Sequence, residues 1–483
     1  MQFLKTFESS SNKDYLLFTV LFIVCIGLAV VSGVYGLVFG VVILVAIVCL
    51  AALIALFFNH RIGLYYILAY VFYMFLINKV AIVPFPLGVI VDLLCAITGL
   101  SLWINFHYNP DPLRTHPFRN VIGYFVLACV AMDVVQLGNP LGGGSFSNAL
   151  VTFREAIYLI STFFIAYHTL DTKKEIVKFT YVWVIFSATV AVYGLKQEWF
   201  GLSDAEWYFL RSDPRKFELY VTWGHVRKWS FLTDPSIYGM MMALSSIFCF
   251  VLTLRKINWK LRTVLIGFTL MFLLAMSYSG TRTAFGIVPI GIAFYFLMTI
   301  DNPRMLAAGI ATAIMALVLF FGPFYGPTLH RIRSTFNSSD PSMSFRDMKR
   351  KNLQKYIYTH PTGVGLGTAN QIAGRYSITS DTDSGYLRTA IEKGILGLIL
   401  QMGLFFAVIY VGVNTFFDSR DMLLRTLIAA YLAGILGIAV ANFYQDAVDQ
   451  KPMNILLASF FAIILRLNQF QTREGTQLNN NPL

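Results

Sequence analysis

Apolar residues run along this chain in long unbroken blocks, and short polar segments separate them. Fourteen runs can be drawn: 16–32, 34–57, 63–81, 84–106, 119–137, 154–170, 176–196, 236–254, 260–278, 282–300, 304–323, 387–415, 422–443 and 452–467. Most approach the roughly 20 residues a helix needs to cross the hydrocarbon of a bilayer. The pattern predicts an all-α polytopic membrane protein with about 14 transmembrane helices (12–14). The first pair of runs and the short last run are the least sharply bounded. Two long polar segments interrupt the blocks, at 197–235 and 324–386. The chain therefore divides into N-terminal helices (1–196), a first long loop (197–235), central helices (236–323), a second long loop (324–386), C-terminal helices (387–467) and a tail (468–483).

Composition agrees with this division. Of the 483 residues, 57% are hydrophobic and 13% charged, and mean hydropathy is +0.65. A soluble globular protein carries about 25% charged residues. The N-terminal apolar run continues into a second one, so it reads as an anchor and not a cleaved leader. The net charge of +12 lies in short loops between runs. That placement sets topology and does not indicate nucleic acid. Cys25, Cys49, Cys95, Cys129 and Cys249 all fall inside apolar runs, with no disulfide framework and no metal-type spacing.

The loop charges orient the chain. One side carries His60, Arg61, Arg114, Arg119, Lys173, Lys174, Arg255, Lys256, Lys260, Arg262, Arg304, Arg420, Arg466 and Arg473. The short connections of the other carry Lys79, Arg154, Arg282 and Lys451. The Lys and Arg excess marks the first side as cytoplasmic. Both termini then lie inside, as an even number of spans requires. The two long loops and Arg282 lie outside.

Arg282 stands in Ser277-Tyr-Ser-Gly-Thr-Arg-Thr-Ala-Phe-Gly286, with almost no loop between two runs. An arginine stays charged and is costly in hydrocarbon, so it is expected to face water, a partner or a ligand. The first long loop has Trp199, Trp207, Trp223 and Trp229 and ends in Arg227 and Asp234-Pro235-Ser236. Its tryptophans read either as interfacial anchors or as platforms for sugar rings, and Asp234 or Ser236 as a helix cap. In the second long loop, Ser344 to Tyr358 predicts an amphipathic helix. Phe345, Met348, Leu353, Tyr356 and Ile357 form its apolar side, with Arg346, Lys349 and Arg350 on another. That charged side is either solvated or a site for an anionic headgroup.

His360-Pro-Thr-Gly363-Val-Gly365-Leu-Gly367-Thr lacks the Lys-Ser/Thr of a phosphate-binding loop. Its glycines permit a tight turn or close backbone approach. Asp383 or Ser384 reads as the cap of the next run, and Asp383 also as a base beside a bound acceptor. Asp92 and Asp133 are carboxylates inside runs, and Arg154 and Glu155 open the sixth run. They are either functional or mutually paired, as Arg154 with Asp133.

In order, these motifs resemble a family. Arg227 with Asp-Pro, Ser-Gly-Thr-Arg282-Thr-Ala, Arg331-Ile-Arg333-Ser, Ser344-Phe-Arg346, the Gly-rich turn to Gly367, Asp383-Ser-Gly-Tyr-Leu and Glu392-Lys-Gly-Ile-Leu-Gly397 are similar to the O-antigen ligase and Wzy-type polysaccharide polymerase superfamily. The likeness covers about Arg227 to Gly397. It implies a membrane fold of the lipid-dependent (GT-C-like) glycosyltransferase type in a bacterial inner membrane, with the active site on the periplasmic face. The implied donor is a glycan on undecaprenyl diphosphate and the implied acceptor a glycan or lipid A-core. The implied chemistry is inverting and needs neither metal nor cofactor. By this likeness Arg282 matches the arginine of the short outer turn, and Arg227 and Arg346 match arginines that hold the diphosphate; Arg331, Arg333 and Arg154, the last outside the matching stretch, are further candidate diphosphate ligands. Arg282 is the catalytic residue that the likeness implies; Asp383, where the chain departs from the family, is the candidate base, and His360 and His330 are further candidates that match no family position.

Ligases of this superfamily carry a His pair where this chain has Asp383-Ser384. That departure favours a polymerase joining lipid-linked repeat units, with a ligase as the alternative. A lipid-linked oligosaccharide flippase is the alternative from another class. Membrane lipids and a chain-length regulator complete the expected partners.

Overall fold

A computed structural model describes residues 53–80, 86–108, 116–139, 141–222, 224–321, 341–376 and 382–480. The run at 16–32 and most of 34–57 lie outside them. The first helices are α1 (His60–Val80), α2 (Gly88–Tyr108), α3 (Val121–Leu137), α4 (Phe146–Thr169) and α5 (Lys173–Trp199). The first long loop holds α6 (Asp204–Arg211), α7 (Pro214–Tyr220) and a two-residue hairpin, β1 (Val221–Thr222) with β2 (His225–Val226). Then come α8 (Pro235–Thr253), α9 (Trp259–Tyr278), α10 (Arg282–Met298) and α11 (Pro303–Phe321). The second long loop holds α12 (Pro341–Thr359) and α13 (Ala369–Tyr376). The chain continues with α14 (Gly385–Asp418), α15 (Met422–Ala441) and α16 (Met453–Asn480).

Twelve of the fourteen apolar runs coincide with helices. Among the described residues eight helices are long and apolar enough to cross a membrane: α2, α4, α5, α8, α9, α14, α15 and α16. Shorter apolar helices are α1, α3 and α10. The protein is thus an all-α chain with the makings of a multi-pass membrane protein. Its centre is α8, α15 and α16, whose side chains are buried along most of their length. Trp183, Phe248, Tyr431 and Phe460 lock α5, α8, α15 and α16 together, with ring centroids 4.8–5.0 Å apart. Edge-to-face packing of this kind adds about 0.5–1.5 kcal/mol per pair beyond area burial.

Several boundaries differ from the sequence expectation. The sixth run, drawn from Arg154, belongs to a helix that begins at Phe146, where Ser145 accepts a bond from Asn148 N at 3.2 Å. Arg154 and Glu155 are therefore two turns inside α4. They are tolerated there because each has a partner of opposite charge. Trp229 is buried against Leu210 and Tyr220 in a small core of the first loop, so it neither anchors nor presents a platform. Trp199 is exposed, and Trp223 lies outside the described residues.

The second loop has its own small core of Leu353, Ile357, Val364, Ala369, Ile372 and Ala373, closed by Ala390 and Ile391 of α14. The amphipathic helix forms, but its faces are not as drawn. Met348 points outward, 54% exposed, and Lys349 is buried at 3%. Helical geometry explains the exchange. Residues i, i+4 and i+7 share a face, which puts Lys349 in line with Leu353 and Tyr356.

The Gly-rich turn and Glu392-Lys-Gly394 are halves of one structure. Gly394 breaks the α14 ladder with φ 72° and ψ −174°. The break frees the carbonyls of Ile391 and Glu392, which accept from Val364 N (3.0 Å) and Gly365 N (3.1 Å). Ile395 N donates instead to Pro361 O at 2.9 Å. A Cβ on Gly363 (φ 82°) would lie 2.5 Å from Gly394 N and 2.6 Å from Glu392 O. From α3, Gln136 Nε2 donates to Thr362 O (2.7 Å) and Asn139 Nδ2 to Gly363 O (3.2 Å). We expect Gly363→Ala to destabilise the protein by about 1–3 kcal/mol, because two backbones must part and a left-handed φ must be held by an L residue. Thermal unfolding in detergent measures this, and an unchanged midpoint would refute the tight pairing.

Candidate functional site

The N-terminal ends of α4, α8, α10 and α14 converge on a cavity of about 950 Å³. Its walls come from chain segments far apart in sequence. Arg227 and Asp234 contribute from the first loop, Gly280 to Thr283 from the turn before α10, and Asp383, Arg388 and Glu392 from the start of α14. Glu218, Asp446 and the carboxamides Asn148, Asn370, Gln371, Gln445 and Gln450 add further polar lining.

Each wall is built locally. Asp234 caps α8, accepting from Ser236 N (2.6 Å) and Ile237 N (3.0 Å), with Pro235 in the first turn. The preceding residues return through the hairpin, so that buried Arg227 reaches the Ser279–Thr281 turn. Its Nε donates to Ser279 O (3.0 Å) and its Nη2 to Thr281 Oγ1 (3.1 Å), while Nη1 donates to Leu219 O (3.2 Å). Thr281 Oγ1 donates in turn to Pro235 O at 3.0 Å. Thr281 is the N-cap residue of α10 but makes no side-chain bond to its first turn. Half-buried Arg282 is the first helical residue and lines the cavity. Arg227 therefore braces the turn that presents Arg282.

Ser384 caps α14, accepting from Leu387 N at 3.4 Å. That releases Asp383 to the cavity with φ 57°, a left-handed value uncommon outside glycine. Lys349 Nζ lies 3.8 Å from Asp383 Oδ2, so the buried lysine of α12 meets this carboxylate and not solvent. Arg350 lies over the rings of Phe443 (4.9 Å) and Tyr444 (5.4 Å), pinning α12 to the segment before Asp446.

Arg388 is a site residue that no sequence motif singles out from its neighbours. Its Nη2 lies 2.8 Å from Glu155, and its Nη1 2.8 Å from Asp446 and 3.6 Å from Asp449. Its Nε is 3.8 Å from Glu392. Burial lifts the Asp446 carboxyl above the usual carboxylate range, even beside Arg388. The one available signal was a basic residue one turn after a Ser cap, in line at i, i+4 with Glu392.

Arg227, Arg282 and Asp383 come together in the cavity. Arg154 does not join them. Its Nη2 pairs with Asp92 at 2.6 Å and donates to Tyr158 Oη at 3.0 Å. Asp133, the partner considered for it, pairs with Lys393 at 2.6 Å. His360 is outside the cavity lining, bonded to Thr359 Oγ1 (2.9 Å) and stacked on Tyr356 at 4.3 Å. His330, Arg331 and Arg333 lie outside the described residues, and Arg346 is placed on α12 by its backbone alone. No protein-family model matches the chain, and no curated protein matches it.

Proposed function

We propose that the protein is a polysaccharide polymerase that joins undecaprenyl-diphosphate-linked repeat units at the periplasmic face of a bacterial inner membrane. In this reading it has about 14 spans and a GT-C-like fold, and both termini are cytoplasmic. The reading rests on one observation: Arg282, on its braced turn, and Asp383, held in a left-handed conformation, line the same cavity. The resemblance of the ordered motifs adds to it.

The chemistry needs an anion site beside a base. The acceptor hydroxyl oxygen attacks the anomeric carbon as its proton passes to Asp383. The bond from that carbon to the diphosphate breaks, and its electron pair stays on the diphosphate oxygen. Arg282 and the first-turn N–H groups of α10 stabilise that charge. Five carboxylates line the cavity against three guanidiniums. Of these, Asp234 is engaged as a helix cap, and Glu392 and Asp446 face Arg388. The anion-facing part is thus the start of α10. Asp383-Ser384 in place of a His pair favours polymerase over ligase.

The test is a purified protein incubated in detergent with lipid-linked repeat units. A ladder formed without added acceptor is the expected result, and it also excludes pure transport, since detergent leaves no second compartment. Transfer seen only when lipid A-core is supplied would sink the polymerase assignment in favour of a ligase.

A further inference from the structure

Behind Arg388 lies a second, smaller cavity of about 70 Å³ between α3, α4, α14 and the start of α16. Its polar lining is Asp133, Glu155, Lys393, Gln401, Asp449 and Asn454. Asn454 is 9% exposed, and its Nδ2 has no hydrogen-bond partner among the described residues. Its Oδ1 accepts from Ile455 N at 2.8 Å, which fixes which end of the amide is left over. Gln401 Oε1 is also buried without a partner. One donor and one acceptor facing the same polar space are both satisfied by water, and the volume accommodates about two molecules.

The charges around this space do not balance. Arg388 and Lys393 are the two cations for five carboxylates: Asp133, Glu155, Glu392, Asp446 and Asp449. The neighbouring groups are Asp92, Arg154, Lys451, the hydroxyl of Tyr158, which donates to Asp92 Oδ1 at 2.6 Å, and the thiol of Cys129 in the cavity wall. Including them gives six carboxylates and four cations, so among the described residues two negative charges are unmatched. An unmatched buried charge costs several kcal/mol and is relieved by neutralisation. Among the described residues no three His, Cys, Asp or Glu side chains are grouped to hold a metal ion.

We propose that this cluster is a hydrated proton store shared by the two cavities. Protons shared within the cluster neutralise its charge excess, and water in the small cavity relays them. Glu392 and Asp446, which line the large cavity, exchange them there. Each hop breaks an O–H bond on one carboxyl or water and forms one on the next oxygen. The burial that lifts Asp446 agrees with it. Nothing in it depends on glycosyl transfer, so it stands or falls separately from the proposed function.

Infrared spectra of the full-length protein in lipid, in H2O and D2O between pH 5 and 9, test it. The expected result is a carbonyl stretch of protonated carboxyl groups at pH 7. It shifts within minutes in D2O and fades as pH rises. Glu155→Gln and Asp449→Asn, which each remove a negative charge at constant shape, weaken it. Absence of the band at pH 7 in the folded wild type overturns the proposal without recourse to any variant. A band that D2O leaves unshifted, or that both variants leave intact, also overturns it.

Discussion

We expect Arg282→Ala to abolish the proposed glycan transfer while the protein still inserts and folds. The loss falls on kcat, by on the order of 10²–10³-fold or more, as for removal of one donor aimed at charge that develops in a transition state. The structural cost is small, because Arg282 is the first residue of α10, where Ala is a good helix former. The turn itself is held by bonds of Arg227 and Thr281 to Ser279, Thr281 and Pro235. Arg282→Lys restores little, since a point charge does not reproduce the planar fork that meets two oxygens together. Turnover of the lipid-linked repeat unit and the thermal midpoint, measured on the same preparation, separate chemistry from folding. Near-normal turnover in Arg282→Ala would show that the diphosphate sits elsewhere.

The site was legible in sequence wherever one local rule was enough. The apolar runs gave twelve helices because run length alone carries that information. Asp234-Pro235 gave a cap because its acceptors and donors lie within three residues. Ser384 gave one for the same reason, and its use as the cap is what turned Asp383 toward the cavity. The Gly-rich turn reads as a tight turn or a close backbone approach, and the structure shows the second at Gly363 and Gly365, which pack against other backbones.

Partners across the fold were not legible. Pattern along α12 put Lys349 with the charged residues, although its spacing to Leu353 and Tyr356 already placed it inward. The arrival of Asp383 gives that buried ammonium a partner of opposite charge. Arg154 had two carboxylates at similar depth to choose between, Asp92 and Asp133. Sequence depth cannot rank them, and the packing of α4 beside α2 decides for Asp92. Arg227 lines the cavity, and three of its donors also hold Ser279, Thr281 and Leu219. Its partners are supplied by a turn about 50 residues on, which no periodicity reports.

Arg388 is the largest consequence of such hidden pairing. Arg388→Met is expected to cost about 3–5 kcal/mol of stability, the usual result of removing one side of a buried charge arrangement. Glu155 and Asp446 at 2.8 Å, with Asp449 and Glu392 beyond, would face one another without the guanidinium between them. Arg388→Lys recovers only part of this, because a single ammonium cannot span carboxylates on α4, on α14 and in the 446–449 segment. The sign of the pH dependence follows from Asp446. Burial already raises its carboxyl, and loss of the guanidinium raises it further. A carboxyl raised in the folded state favours folding below its unfolded value, and that contribution is lost as pH rises through the folded value. The variant therefore falls further below wild type at pH 8 than at pH 5. Thermal unfolding in detergent at both values measures it. A variant as stable as wild type at pH 8 would mean that Arg388 is dispensable to the carboxylates around it.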